Sequence, residues 1–142
     1  MRRALALSCL PLCALAISGC TTKTSTSNFS GTEKTVAHTI AGLQSAVTAG
    51  EQKKICTEIL SASVVSSLGG TKGCEAAIKE QVTEIDGTEA DVKSVQVNGT
   101  TATAEVKSTY SGKKGQLSQV TLVEEGGKWK VSAVKQVTQP AQ

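Results

Sequence analysis

Residues 91–110 read DVKSVQVNGTTATAEVKSTY, and their pattern decides the fold class. The VKSVQV portion reads as a strand, and Asn98-Gly99 after it is the strongest short hairpin signal a sequence offers. In the next ten residues Ala102, Ala104 and Val106 alternate with Thr103, Glu105 and Lys107, so small apolar side chains share one face. SGKKG then turns the chain into QLSQVTLVEE, and Gly126-Gly127 turns it again into KWKVSAVKQV. Four consecutive strands joined by short turns predict an antiparallel meander.

Upstream of this stretch the apolar period is helical. Ser30 and Glu33 form a capping-box pattern. Val36, Ile40, Leu43 and Val47 follow as a narrow stripe, and Ala49-Gly50 is a stop signal. EQKKICTEIL predicts a second helix with Ile55, Ile59 and Leu60 on one side. SASVVSSLGG reads as a short helical turn ending at Gly69-Gly70. A third helix is expected from about Cys74 to Ile85, with Ile78, Val82 and Ile85 as its stripe. Helices first and strands after them give an α+β domain over residues 32–137, its helices on one face of a four-stranded antiparallel sheet. Residues 138–142 form a C-terminal tail, and no internal repeat is present.

The N-terminus belongs to a different class of segment. Arg2 and Arg3 precede an apolar stretch from Ala4 to Gly19, interrupted by Pro11. That length falls short of the roughly 20 residues a bilayer-spanning helix needs. A basic start, a short apolar run and small residues before a break are the marks of an export signal. Ile17-Ser18-Gly19-Cys20 resembles the bacterial lipoprotein signal, the lipobox: an aliphatic residue, two small ones, then cysteine. The resemblance implies a diacylglycerol thioether on Cys20, cleavage before it, and residues 1–19 as a removed signal peptide. Without lipid, Cys20 would be an exposed reactive thiol in an oxidising compartment. Residues 20–31 then read as the lipidated cysteine and a Ser/Thr-rich tether, TTKTSTSNFSG, with almost nothing to bury. The expected location is the cell membrane, lipid-anchored, with the domain on the extracytoplasmic side. The arginine pair also occurs in twin-arginine signals, but nothing beside it supports that route, and general secretion is expected. Glycosylation of the tether stays open. The sequons at Asn28 and Asn98 are weak signals in a bacterial chain.

Removing residues 1–19 takes both arginines away, leaving 13 basic residues against 12 acidic ones, so the formal net charge falls from +3 to +1. A nucleic-acid footprint needs a clustered basic patch, and for an exported chain of this charge a nucleic-acid partner is not expected. Phe29, Tyr110 and Trp129 are the only aromatics, with Phe29 assigned to the tether. The core must therefore be built from Val, Ile, Leu and Ala, where a covalent staple helps a small domain.

Five cysteines reduce to a pair. Cys9 and Cys13 leave with the signal and Cys20 carries lipid, so Cys56 and Cys74 remain. Cys56 borders the Ile55/Ile59 face and Cys74 sits on the Ile78/Ile85 stripe, so both point to one interior and a disulfide is expected. Closing 17 intervening residues contributes about 3 kcal/mol in the chain-entropy model. A metal-binding or exchange-active thiol pair is the alternative, and no C-x-x-C pattern supports it. His38, the only histidine, lies opposite the Val36/Ile40/Leu43/Val47 stripe, so no catalytic or metal role is expected for it.

The order of signal, helices and meander resembles small exported lipoproteins, common in actinobacteria, with an NTF2-like (cystatin-like) domain. Three segments carry the likeness: AVTAGEQKKICTEILS, LGGTKGCEAAI and the closing hairpin LVEEGGKWKVSAV. The resemblance implies a strongly curved sheet wrapped around helices, often enclosing a cone-shaped pocket. Enzymes of this fold place acids, tyrosines or histidines inside the cone. Here Glu75, Glu80, Glu84, Asp86, Glu89 and Asp91 fall on the third helix and its exit. Tyr110 is in phase with Ala102, Ala104 and Val106, and Trp129 alternates with Val131 and Ala133. These two aromatics are the candidate pocket lining, although a rim or packing role for Tyr110 and a core-anchor role for Trp129 are the simpler readings. Lys93, Lys107, Lys113, Lys114, Lys128 and Lys130 read as a solvated sheet face, with anionic envelope lipid or polymer as the minority alternative. The expectation is a non-catalytic binding or interaction domain without cofactor or metal. Its partners are the membrane through the anchor, and an envelope protein or a small apolar ligand. A carrier or sensor holding that ligand in the cone is the alternative, an enzyme using the cavity the remoter one, and a homodimer is compatible with the fold.

Overall fold

The computed structural model describes residues 26–82, 89–109 and 115–137. Helix α1 (Gly31–Thr48) buries Val36, Ala37, Ile40 and Ala46, the first and third being the expected stripe, with Leu43 and Val47 half-buried beside them. Ser30 is its N-cap, but its side chain makes no capping hydrogen bond. The expected capping box does not form because Gly31 enters the helix at φ +54°. That left-handed step diverts the usual path by which an N-cap oxygen reaches the first-turn amides. The stop at Gly50 is as expected. Gly50 at φ +67° donates to Val47 O at 3.1 Å and Glu51 to Ala46 O at 2.8 Å. Those two bonds are the Schellman closure.

The second helix differs from expectation. Helix α2 (Gln52–Lys54) passes directly into a π-helix, Ile55–Ile59, closed by Leu60 N–H to Ile55 O at 2.9 Å. Ile55, Cys56 and Ile59 are buried. Leu60 is extended and forms a parallel bridge with Val131 of the sheet, where Ser61 N–H donates to Val131 O at 2.9 Å. Helix α3 (Ala62–Ser67) follows, then Gly69 and Gly70 at φ +88° and +78°. Helix α4 (Gly70–Val82) begins four residues earlier than Cys74, the expected start. Gly73 permits this, since a Cβ there would lie 2.0 Å from the Leu68 carbonyl oxygen. Val82 is the last described residue of α4, so Glu84, Ile85 and Asp86 lie outside the described residues.

Strands β1 (Glu89–Asn98), β2 (Thr101–Thr109), β3 (Gln116–Glu125) and β4 (Lys128–Gln136) form one antiparallel sheet in that order. Asn98 pairs with Thr101, so the first hairpin loop is Gly99-Thr100, one residue later than the Asn-Gly signal. Gly99 alone has positive φ there, whereas both loop residues of the last hairpin, Gly126 and Gly127, do. Two bulges break the alternation. Lys93 is extra between the Val92–Val106 and Ser94–Glu105 pairs, which leaves Val92 and Val95 on the same inward face. Ser132 is extra between Leu122–Val131 and Thr121–Ala133, and its hydroxyl donates to Thr121 O at 3.1 Å. Trp129 and Val131 are therefore buried, but Ala133, expected on the same face, is exposed. One inserted residue moves everything after it to the other side.

Helix α1 touches β1 and β4, the two outermost strands, so the sheet curls around it. Inside the curl, Val36, Ala37, Ile40, Ile55 and Ile59 pack with Val92, Val95, Ala102, Ala104, Val106, Val120, Leu122, Trp129 and Val131 as one apolar cluster. Phe29 also packs against it, so the residue assigned to the tether belongs to the domain. An apolar side chain adjoining an uncovered core edge folds onto it wherever the chain can reach, and Phe29 is two residues from α1.

Candidate functional site

Two places were expected to carry function: the N-terminal cysteine and the inside of the curved sheet. Cys20 and Tyr110 lie outside the described residues. Trp129 is 7% exposed and belongs to the central cluster, as a core anchor does. The other buried inward residues of the sheet are Ala, Val and Leu. Ser61 is the one buried polar residue among the described residues. Among these residues no three His, Cys, Asp or Glu gather as a metal site requires. His38 is exposed on the outer side of α1. Glu80, Glu89 and Lys93 are exposed too, and Asp91 pairs with Lys93 on the outer side of β1.

Cys56 and Cys74 are joined by a disulfide, with their Cα atoms 6.0 Å apart. Both half-cystines are buried, and the bond ties the π-helix to α4. The pairing drawn from the residues thus has its counterpart in the fold.

Sequence reasoning missed a polar clip that fastens the helices to the last hairpin. The ammonium of Lys130 on β4 donates to the carbonyl oxygens of Glu58 and, at 3.4 Å, Thr57, at the end of the π-helix. A cation there satisfies carbonyls that the helix leaves without partners. The Glu125 carboxylate, at the end of β3, accepts from Ala62 N–H at 3.1 Å, the first amide of α3. Between these contacts Ser61 donates its own amide to Val131 and accepts from Val64 N–H at 3.4 Å, capping α3. Its hydroxyl also meets that of Ser63 at 3.0 Å. Only one signal was readable in advance: Ser61 before ASVV is an N-cap pattern. The partners of Lys130 and Glu125 are 63 or more residues away in sequence. Lys130 therefore does more than belong to a solvated face, whereas Lys107 and Lys128 are exposed as expected. Lys113 and Lys114 lie outside the described residues.

Outside the core, a shallow groove of about 410 Å³ runs between α2 and α4, lined by Gln52, Lys53, Lys72, Glu75, Ala76 and Lys79. A second, of about 400 Å³, lies beside residues 50–54 and Thr57 and Glu58. Both are lined mostly by charged and amide side chains of mixed sign, whose aliphatic stems form much of the surface.

Comparison with solved structures shows the fold. A five-substitution variant of a protein named Rd1NTF2_05 superposes at a TM-score of 0.55 and 14% identity, covering 75% of this chain and 100% of that one. A de novo designed protein with a curved β-sheet reaches 0.49 at 16% identity, over 71% of this chain and 97% of that one. An NTF2-like protein of unknown function from Shewanella baltica OS155 reaches 0.42 at 16% identity, over 73% and 94%. The fold likeness rests on the first of these, and it agrees with helices followed by a curved four-stranded sheet. No curated protein matches the chain. The profile of one family, described as low molecular weight antigen MTB12, C-terminal domain, matches residues 62–139, from the start of α3 past the end of β4. With more than half of its 142 residues matched, this NTF2-like chain belongs to the family of the low molecular weight antigen MTB12, C-terminal domain.

Proposed function

We propose that the protein is a membrane-anchored envelope lipoprotein whose NTF2-like domain is a non-catalytic binding or interaction module on the extracytoplasmic side. The observation that carries this reading is Ile17-Ser18-Gly19-Cys20 at the end of a short apolar run. Each buried CH₂ of an attached acyl chain contributes about 0.8 kcal/mol, so two or more chains hold a domain of this size on a bilayer. The inward sheet face and the helices pack as one apolar cluster that includes Trp129, which fits a rigid scaffold for a binding or interaction module.

The test is Cys20→Ala in the full chain, expressed in a bacterial host with lipoprotein processing, followed by membrane fractionation and intact-mass measurement. The expected wild-type product sediments with membranes and carries the mass of a diacylglycerol adduct on Cys20. The variant is expected in the soluble fraction or as the uncleaved precursor. A cleaved Cys20→Ala chain that stays on the membrane as fully as wild type overturns the anchor. Native mass spectrometry of the gently extracted protein addresses the domain, where a retained small-molecule mass moves the reading to a carrier.

A further inference from the structure

The α3–α4 hairpin is unevenly attached to the rest of the molecule. Helix α3 buries no side chain, and α4 buries Cys74 alone. Over residues 62–82, Ile78 is the one hydrophobic side chain that packs, partly buried, against the central cluster. Where α4 meets α2 the side chains lining the 410 Å³ groove along the contact are Gln52, Lys53, Lys72, Glu75, Ala76 and Lys79, so that contact buries little apolar surface. The firm contacts lie at the N-terminal end of the hairpin, in the Ser61–Val131 and Glu125–Ala62 hydrogen bonds. The other firm attachment is covalent, the Cys56–Cys74 bond. A segment with so little buried apolar area opens locally at low free energy unless something holds it.

We propose that the α3–α4 hairpin is a redox-released flap. The disulfide holds it closed against the π-helix, and reduction by a dithiol frees it to swing about the Ser61–Val131 junction while α1 and the sheet stay folded. In the chemical step a thiolate of the dithiol attacks Cys56 Sγ, in the half-cystine that keeps a small exposure while Cys74 has none. The S–S bond breaks, and Cys74 leaves as a thiolate that takes up a proton. The second thiol of the reductant then attacks the mixed disulfide and expels Cys56. The protein gains two thiols and the reductant becomes a disulfide, a transfer of two electrons and two protons. Release uncovers the side of the π-helix that α4 touches, the side carrying Cys56. In the oxidising compartment proposed for this domain the closed form is the resting one.

Hydrogen–deuterium exchange on the full chain, with and without dithiothreitol, tests the flap, with the Cys56→Ser/Cys74→Ser double variant as the reductant-free counterpart. The expected result is a loss of protection of about tenfold or more across residues 62–82 in both cases. Amides of α1, β2 and β3 should keep their protection. Unchanged protection in 62–82 after complete reduction, verified by thiol alkylation and mass, overturns the proposal. So does a uniform loss over the whole domain, because the hairpin would then be part of one cooperative unit. Ile78→Ala with the disulfide intact separates attachment from general instability: it should loosen residues 62–82 and leave β2 and β3 unchanged.

Discussion

Gly73 shows how a single residue can matter for a reason its neighbours in sequence do not disclose. Within LGGTKGCEAAI it looks like one more small residue near a turn. In the fold the Leu68 carbonyl oxygen occupies the place of a Cβ at only 2.0 Å, and Leu68 is backbone that cannot rotate away. Gly73→Ala should therefore destabilise the domain by about 2–4 kcal/mol, although alanine is the better helix former by about 1 kcal/mol at an ordinary helical position. Urea denaturation of the two chains reads the difference, and a gain in stability would show that α4 shifts to make room. Trp129 is the opposite case. Its role as a core anchor could be read from the inward alternation of KWKV alone, since a large apolar residue beside Val131 has one place to go. Phe29 was misassigned because its neighbours are all polar, and composition averaged over the tract hides one packed ring.

The elements were legible where local chemistry decides them. The end of α1 at Gly50 and the final hairpin at Gly126-Gly127 follow from left-handed glycines, Gly50 closing the helix with its bond to Val47. The start of α1, the π-helix and the two bulges were not legible, since each answers to contacts made elsewhere. The Leu60–Val131 bridge requires the chain to leave the helix extended, and the π-turn at Ile55–Ile59 comes just before that exit. The Ser132 bulge lies beside it on β4 and sends Ala133 to the outer face. Glu125 tests the clip at this level. Glu125→Ala removes the acceptor on the first amide of α3 and a negative charge from its N-terminus. The expected loss is about 0.5–1 kcal/mol, smaller in high salt, read by thermal unfolding at two ionic strengths. A salt-independent loss would trace the effect to packing.

Across the whole molecule, the curl of the sheet sets which inward residues are covered. Val120 and Val134 are cross-strand partners and share the inward face. Val120 is buried, while Val134 is 58% exposed, because the helices meet β4 at Val131 and Val134 lies three residues beyond on the edge strand. Val120→Lys should cost about 4 kcal/mol or more, as an unpaired charge in the apolar cluster, whereas Val134→Lys should stay within about 0.5 kcal/mol of wild type. Chemical denaturation of both variants decides the matter. Equal losses would mean that the edge strand is covered in solution, as a second copy of the chain would cover it. Strict alternation puts Val120 inward and, after Trp129 and Val131, puts Val134 outward; the Ser132 bulge turns Val134 inward, and the reach of the helices leaves it uncovered.

By itself the sequence determined the class of the protein: helices before a four-stranded meander, a cysteine pair available for bonding, an interior of small aliphatic side chains, and a candidate anchoring cysteine at the end of an apolar run. Those properties depend on hydrophobic period, turn chemistry and composition, which are local and sum along the chain. Only the tertiary structure decided which inward residues are covered, where the alternation breaks, and how Lys130, Glu125 and Ser61 fasten the helices to the last hairpin. Those outcomes depend on groups more than sixty residues apart meeting at a few ångströms. The free energy of such meetings comes from burial and hydrogen-bond geometry that exist only after the sheet has curled around α1.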